Sequence, residues 1–155
     1  MEKLAFHIRS AVGRDLDELI KLYSDEPSIA HSSGTLRETI LFHLLLTDST
    51  APTYVNIAHI DDKILALSII RFRSTLNNYE IECITKENFR NQGIGFALIN
   101  HSINQCRKSG YSTFIANILP DNFSCIRLFE KLGFMIDTAT SKNKFITYRL
   151  RMKEP

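Results

Sequence analysis

The segment Arg90-Asn91-Gln92-Gly93-Ile94-Gly95 is the part of this 155-residue chain whose residue types and spacing could do chemistry unaided. A β-rich run precedes it and a helical pattern follows. The loop therefore presents the positive end of a helix, with its first unbonded N–H groups, to a ligand. Glycines at 93 and 95 let the backbone come close, and Arg90 adds a planar cationic fork. The ligand that suits such a group is a phosphate or diphosphate. A Walker loop is excluded, because Phe96 and Ala97 follow Gly95 where lysine and a hydroxyl residue belong. The dinucleotide fingerprint fits poorly: Leu98 stands at the third glycine, and no acidic residue follows about 20 residues later in a strand–helix–strand setting. Taken alone, the segment also admits a plainer reading, in which the glycines merely ease a strand into a helix.

Other reactive groups are scattered. Glu80 and Glu82 alternate along a predicted strand and share the face opposite Ile81 and Cys83. They are candidate bases, Glu82 lying nearer the loop, and they equally fit a pair of solvated strand carboxylates. Asp25 and Glu26 could draw a cationic amine or simply end a helix in solvent, and His31 is a further candidate base. Cys83, Cys106 and Cys125 are odd in number and far apart, which suits buried thiols better than a disulfide framework. The five histidines form neither an HxxxH nor an HxH pair, and no metal is assigned.

The elements that must position these groups follow from periodicity. A strand over residues 5–9 leads into a helix with Leu16, Leu19, Ile20 and Tyr23 at helical spacing, ending before Pro27. A second helix is expected over about residues 36–46. Runs 53–59 and 64–73, joined at Asp61-Asp62-Lys63, read as a meander, and 79–85 as the strand entering the loop. Beyond Gly93, a stripe of Ile94, Leu98, Ile99, Ile103 and Cys106 marks a helix. A strand over 112–117 precedes a helix carrying Cys125, Leu128, Phe129 and Leu132, with Gly133 as its C′ residue. In the last strand, 144–152, Ile146, Tyr148, Leu150 and Met152 alternate with Thr147, Arg149 and Arg151, which predicts one buried and one solvated face.

Bulk properties set the frame. At 155 residues, 44% hydrophobic and 23% charged, the chain suits one globular domain over residues 1–155 rather than a disordered segment. A net charge of +2 without a basic stripe gives no reason to expect nucleic acid. The N-terminal stretch lacks the apolar core of a secretory signal, and the run 40–46 is far shorter than the ~20 residues that span a bilayer. A cytoplasmic protein with no membrane partner is expected.

Two segments carry a family resemblance. Arg90 to Gly95 resembles the R/Q-x-x-G-x-G/A signature of the GNAT N-acetyltransferase superfamily. Asn122-Phe123-Ser124-Cys125-Ile126-Arg127-Leu128-Phe129-Glu130-Lys131-Leu132-Gly133-Phe134 resembles that family's N-x-x-A-x-x-L-Y-E-K-L-G-F. Their order and their separation by one helix and one strand also match. The resemblance implies an α/β (α+β) fold: a mixed, mostly antiparallel twisted sheet of about six to seven strands with about four helices. Its fourth and fifth strands splay into a wedge for acetyl-CoA. It further implies that Cys83, Ile84 and Thr85 meet the pantetheine arm, that Arg90, Asn91, Gln92, Gly93, Ile94, Gly95 and Phe96 surround the pyrophosphate, and that Asn122 approaches the pantetheine. A homodimer is plausible by the same analogy.

The implied activity is transfer of an acetyl group from acetyl-CoA to a primary amine of a small molecule or protein, by direct attack on the thioester. An amine with a pKa near ~10.4 is protonated at neutral pH, so a base is required, for which Glu82 and then Glu80 are the candidates. The family's usual oxyanion contact is a backbone N–H, here near Ile84. Two departures stand out. Phe129 occupies the place of a tyrosine that in many relatives attends the departing sulfur. Asn117 occupies the place of the glutamate base of the ribosomal-protein-acetylating branch; it cannot be a general base, and it could orient a substrate or simply end a strand. The acceptor is expected among the first two helices, His31, Asn117 and the last strand. The alternatives are a degenerate relative that binds acyl-CoA as a sensor or interaction module, and a nucleotide-binding module unrelated to CoA.

Overall fold

The computed structural model describes residues 4–24, 53–73, 77–107, 113–137 and 145–152. Strands β1 (His7–Ser10), β2 (Thr53–Ile60), β3 (Lys63–Arg73), β4 (Asn78–Thr85), β5 (Thr113–Ile118), β6 (Met135–Ile136) and β7 (Ile146–Arg151) join helices α1 (Leu16–Ser24), α2 (Ile94–Arg107) and α3 (Phe123–Lys131). The strands form one sheet in the order β1-β2-β3-β4-β5-β7-β6. Every neighbouring pair is antiparallel except β4 and β5, which run parallel. The predicted second helix, with Asp25, Glu26 and His31, lies outside the described residues.

The sheet is buried on both faces at its centre. Ile57, Leu67 and Ile84 are successive register partners and pack with Leu19 and Leu22 of α1. The opposite side chains of β4, Tyr79 and Ile81, pack with Ile99, Ile103 and Cys106 of α2 and Phe129 of α3. That is why all residues from Ile64 to Ile70 of β3 are buried and the strand reads as a continuous apolar run. One polar link ties α2 to the sheet: Asn56 Nδ2 donates to Ser102 Oγ (3.0 Å) and Gln105 Oε1 (2.9 Å), and Ser68 Oγ lies 2.8 Å from Ser102 Oγ. Asn56, Ser68 and Ser102 are each wholly buried. Their mutual bonding satisfies groups that would otherwise cost stability, and it sets the register of α2 on the sheet.

Helix α3 is bounded as its sequence demands. Asn122 caps it by accepting from Cys125 N (3.3 Å). At the other end Gly133 takes φ +97°, Gly133 N–H bonds Glu130 O (2.9 Å) and Phe134 N–H bonds Phe129 O (3.0 Å), a Schellman closure. Phe134 then meets Phe129 edge to face at 5.0 Å.

One strand was unforeseen and one sequence expectation needs correction. β6 has no counterpart in the periodicity, because two residues cannot display an alternation; β7 recruits them through Met135↔Arg149 and Ile136↔Tyr148. Both side chains remain exposed at this sheet edge. The final strand, in turn, lacks a uniformly solvated face: Thr147 is 2% exposed. It is enclosed between β5 and β6, and its hydroxyl donates to Asn117 Oδ1 at 2.7 Å.

Candidate active site

The site begins with a failure of pairing. β4 and β5 are partners only at Tyr79↔Phe114 and Glu80↔Ile115, after which β4 runs to Thr85 and β5 to Ile118 unpaired with each other. β5 stays fully paired to β7 and β4 to β3, so the two strands part from each other while each keeps its outer neighbour. Two cavities open along this wedge.

The larger, about 450 Å³, lies between the end of β4, the loop before α2, and α3. Asn91 (φ +62°) and Gly93 (φ +82°) turn the loop through the left-handed region, where glycine and asparagine are best tolerated. The first backbone bond of α2 runs from Ala97 N–H to Gly93 O. The N–H groups of Ile94, Gly95 and Phe96 precede it and form the helix's positive end. A Cβ added at Gly93 would meet nothing within 4 Å, which leaves that approach open. A Cβ at Gly95 would lie 3.1 Å from Leu128 Cδ2 and 3.6 Å from Thr85 Oγ1, so this glycine lets α2 approach α3 and β4. Arg90 Nε donates to Thr85 O (3.0 Å), folding the guanidinium over the end of β4.

Among the described lining residues the charged ones are Arg90, Arg127 and Lys131, all cationic. Arg127 and Lys131 were not foreseen from the sequence, and Ser124 was considered only as a substitute for the missing tyrosine acid. The signal was present: Ser124, Arg127, Leu128 and Lys131 fall at i, i+3, i+4 and i+7, one stripe of α3 facing the loop. Lys131 Nζ also sits 5.7 Å from the centre of the Phe96 ring. Gln92 is not part of this lining, and its side chain turns back to donate to Asn88 O (3.3 Å). Ile94 contributes backbone, its side chain being 1% exposed and packed with Leu98.

The smaller cavity, about 190 Å³, is lined by Glu80, Glu82, Asn117, Phe129 and Phe145 among others. Its charged described residues are the two glutamates. Glu82 Oε2 accepts from Arg71 Nη2 at 3.2 Å, across the β3–β4 register. Asn117 stands opposite, its carbonyl oxygen held by Thr147. Phe129, 1% exposed, belongs to this cavity and not to the larger one. The two cavities share Cys83, Asn122 and Cys125. The expected phosphate and catalytic groups are thus brought to opposite ends of one opening.

Ile84 does not serve in the role foreseen for it. The Lys86 N–H bonds Leu65 O (2.9 Å), and the unbroken β3–β4 register makes Leu67↔Ile84 a pair of the same kind. Antiparallel alternation therefore aims Ile84 N–H at β3, and the N–H groups on the opened edge are those of Cys83 and Thr85. The cysteines also differ from expectation: Cys106 is buried, whereas Cys83 and Cys125 are half-buried in the wedge. Burial pushes the Cys106 thiol up to about 12. Burial, reinforced by Cys125, raises the Cys83 thiol further, against a smaller opposing hydrogen bond with Thr85. No group of three or more His, Cys, Asp or Glu residues able to hold a metal occurs among the described residues. Nor is any described helix long and apolar enough to cross a membrane.

The sheet is thus parted between its two parallel strands, with a helix N-terminus and three cationic side chains on one flank. A family model for the acetyltransferase (GNAT) family matches residues 16–134, and the chain belongs to that family of acetyl-transferring enzymes. Solved structures agree on the fold. PaiA N-acetyltransferase of Thermoplasma acidophilum, solved with coenzyme A, is 15% identical with a TM-score of 0.81, over 96% of this chain and 100% of that one. YncA of Salmonella typhimurium, solved with acetyl-CoA, is 17% identical with a TM-score of 0.76, over 98% and 95%. The ribosomal-protein-S18-alanine N-acetyltransferase of Escherichia coli is 20% identical with a TM-score of 0.71, over 95% and 94%.

Proposed function

We propose that this chain, as a single domain over residues 1–155 acting in the cytoplasm, transfers the acetyl group of acetyl-CoA to a primary amine that reaches the wedge from the glutamate side. The observation that carries this reading is the meeting of a cation-lined and a carboxylate-lined cavity at Cys83, Asn122 and Cys125. The larger cavity fits a diphosphate: it offers backbone N–H groups, three cations and no described carboxylate. Acetyl-CoA supplies the activated thioester carbonyl. Arg90, Arg127, Lys131 and the start of α2 hold its phosphates, and the N–H groups of Cys83 and Thr85 orient the pantetheine and the carbonyl oxygen. The Asn122 side-chain carbonyl is committed to its cap, leaving its amide to face the arm.

On the other side Glu82 accepts the amine proton, with Arg71 fixing its orientation. Glu80 adds negative charge that favours a cationic acceptor, and Asn117 orients it. The acceptor class is therefore a small polyamine or an exposed protein amine. Because Phe129 has no hydroxyl, the thiolate leaves without a tyrosine acid; a thiol pKa near ~8.5 makes this tolerable.

The test is calorimetric titration of acetyl-CoA, followed by CoA release across a panel of polyamines and peptide amines. Micromolar binding and amine-dependent release that Glu82→Gln suppresses are expected. Binding without release for any amine would favour a sensor, the reading that the buried Phe129 ring motivates. Displacement of acetyl-CoA by ATP or NAD at equal strength would instead mark a general nucleotide module.

A further inference from the structure

We propose that Cys125 is a redox modification site at which coenzyme A, presented as its disulfide, forms a reversible mixed disulfide that closes the wedge. The inference rests on the acetyl-CoA reading above and concerns regulation of the same site. Cys83 and Cys125 are two of the three residues common to both cavities, so a ligand seated by its diphosphate at the loop before α2 ends with its sulfur among protein thiols. Cys125 is the third residue of α3, half-buried, and opens to both cavities. Cys106 is wholly buried on the core face of α2, and Cys83 lies within β4, packed against two core clusters and with its thiolate disfavoured by burial.

The exchange balances without a further oxidant. The Cys125 thiolate attacks one sulfur of CoA disulfide, the S–S bond breaks, and one CoA thiolate leaves as the Cys125–S–S–CoA bond forms. The same cations and N–H groups that hold the phosphates of acetyl-CoA deliver the reagent. The adduct then occupies the path of the pantetheine arm, so acetyl-CoA no longer enters. A thiol reductant reverses the exchange and reopens the wedge. The device couples acetyl transfer to the ratio of CoA disulfide to CoA thiol.

The full chain, reduced and freed of reductant, is incubated with CoA disulfide and in parallel with glutathione disulfide. Intact mass and peptide mapping follow the adduct, and acetyl-CoA titration follows the site. One CoA per chain on Cys125 is expected, forming at least about tenfold faster than the glutathione adduct because binding holds the reagent at the thiol. Saturating desulfo-CoA slows it, Cys125→Ala abolishes it, and dithiothreitol restores acetyl-CoA binding. An adduct on Cys83 or Cys106, a Cys83–Cys125 disulfide, or equal rates with the two reagents would each overturn the proposal. So would an unmodified Cys125 in a chain that binds acetyl-CoA normally. A chain that takes up neither acetyl-CoA nor the adduct overturns the underlying reading as well, and the titration distinguishes the two failures.

Discussion

The two cavities that meet at Cys83, Asn122 and Cys125 are constructed in opposite ways. The cationic one is built largely from contiguous chain: the loop before α2, the first turn of α2, and one stripe of α3. In the proposed site backbone N–H groups meet the phosphates, so it depends on φ angles at Asn91 and Gly93 more than on particular side chains. The acidic cavity gathers Glu80 and Glu82 from β4, Asn117 from β5, Phe145 beside β7 and Phe129 from α3. Its polar groups are oriented by partners on neighbouring strands, Arg71 for Glu82 and Thr147 for Asn117. Recognition of a constant phosphate can reside in local geometry, whereas chemistry on an acceptor needs groups from several elements converging at one place.

That contrast is broken most severely at Gly93. Gly93→Asp introduces a side chain at φ +82° and a carboxylate into the anion site, and acetyl-CoA affinity should fall by roughly 100-fold or more while the fold persists. Calorimetry alongside a melting curve checks it, and unchanged affinity would show that the phosphates bind elsewhere. Glu82→Gln attacks the other cavity alone: kcat should drop by about 100-fold, in the range typical of a lost general base, with acetyl-CoA affinity unchanged. If affinity falls with kcat, the two ends are not separable as described.

The double variant Arg127→Ala/Lys131→Ala sharpens the comparison. Acetyl-CoA should bind roughly tenfold more weakly, with a flatter dependence on salt, because two exposed and screened charges are removed. Asp15→Asn is the control outside both cavities. Asp15, 6% exposed, accepts from Arg9 at 2.8 and 2.9 Å and from Val12 N at 2.8 Å. These partners, the Arg9 hydrogen bond first, hold its carboxyl below the ordinary range. A depressed pKa contributes stability above the unfolded value near ~3.9, and that contribution is lost as pH falls through the folded value. The variant should lose about 1–3 kcal/mol in urea unfolding at pH 7 and show a smaller loss on acidification, with acetyl-CoA affinity intact.

What the sequence by itself determined is what local physics writes into a short stretch of chain. Alternation and helical periodicity placed β2, β3, β4, β5, α2 and α3 within a residue or two, and Gly133 was legible as the end of α3 because a Schellman closure uses only nearby groups. The turn from β4 into α2 at Asn91 and Gly93 was legible for the same reason. The tertiary structure decided whatever depends on which strand lies alongside. It turned Ile84 N–H toward β3 and left Cys83 and Thr85 facing the opening, a distinction of parity that only register resolves. It paired Arg71 with Glu82, recruited Met135 and Ile136 as β6, and buried Thr147 against Asn117. It also brought Cys125 to the junction of two cavities, since a half-buried thiol and a core thiol look alike until the sheet parts beside one of them.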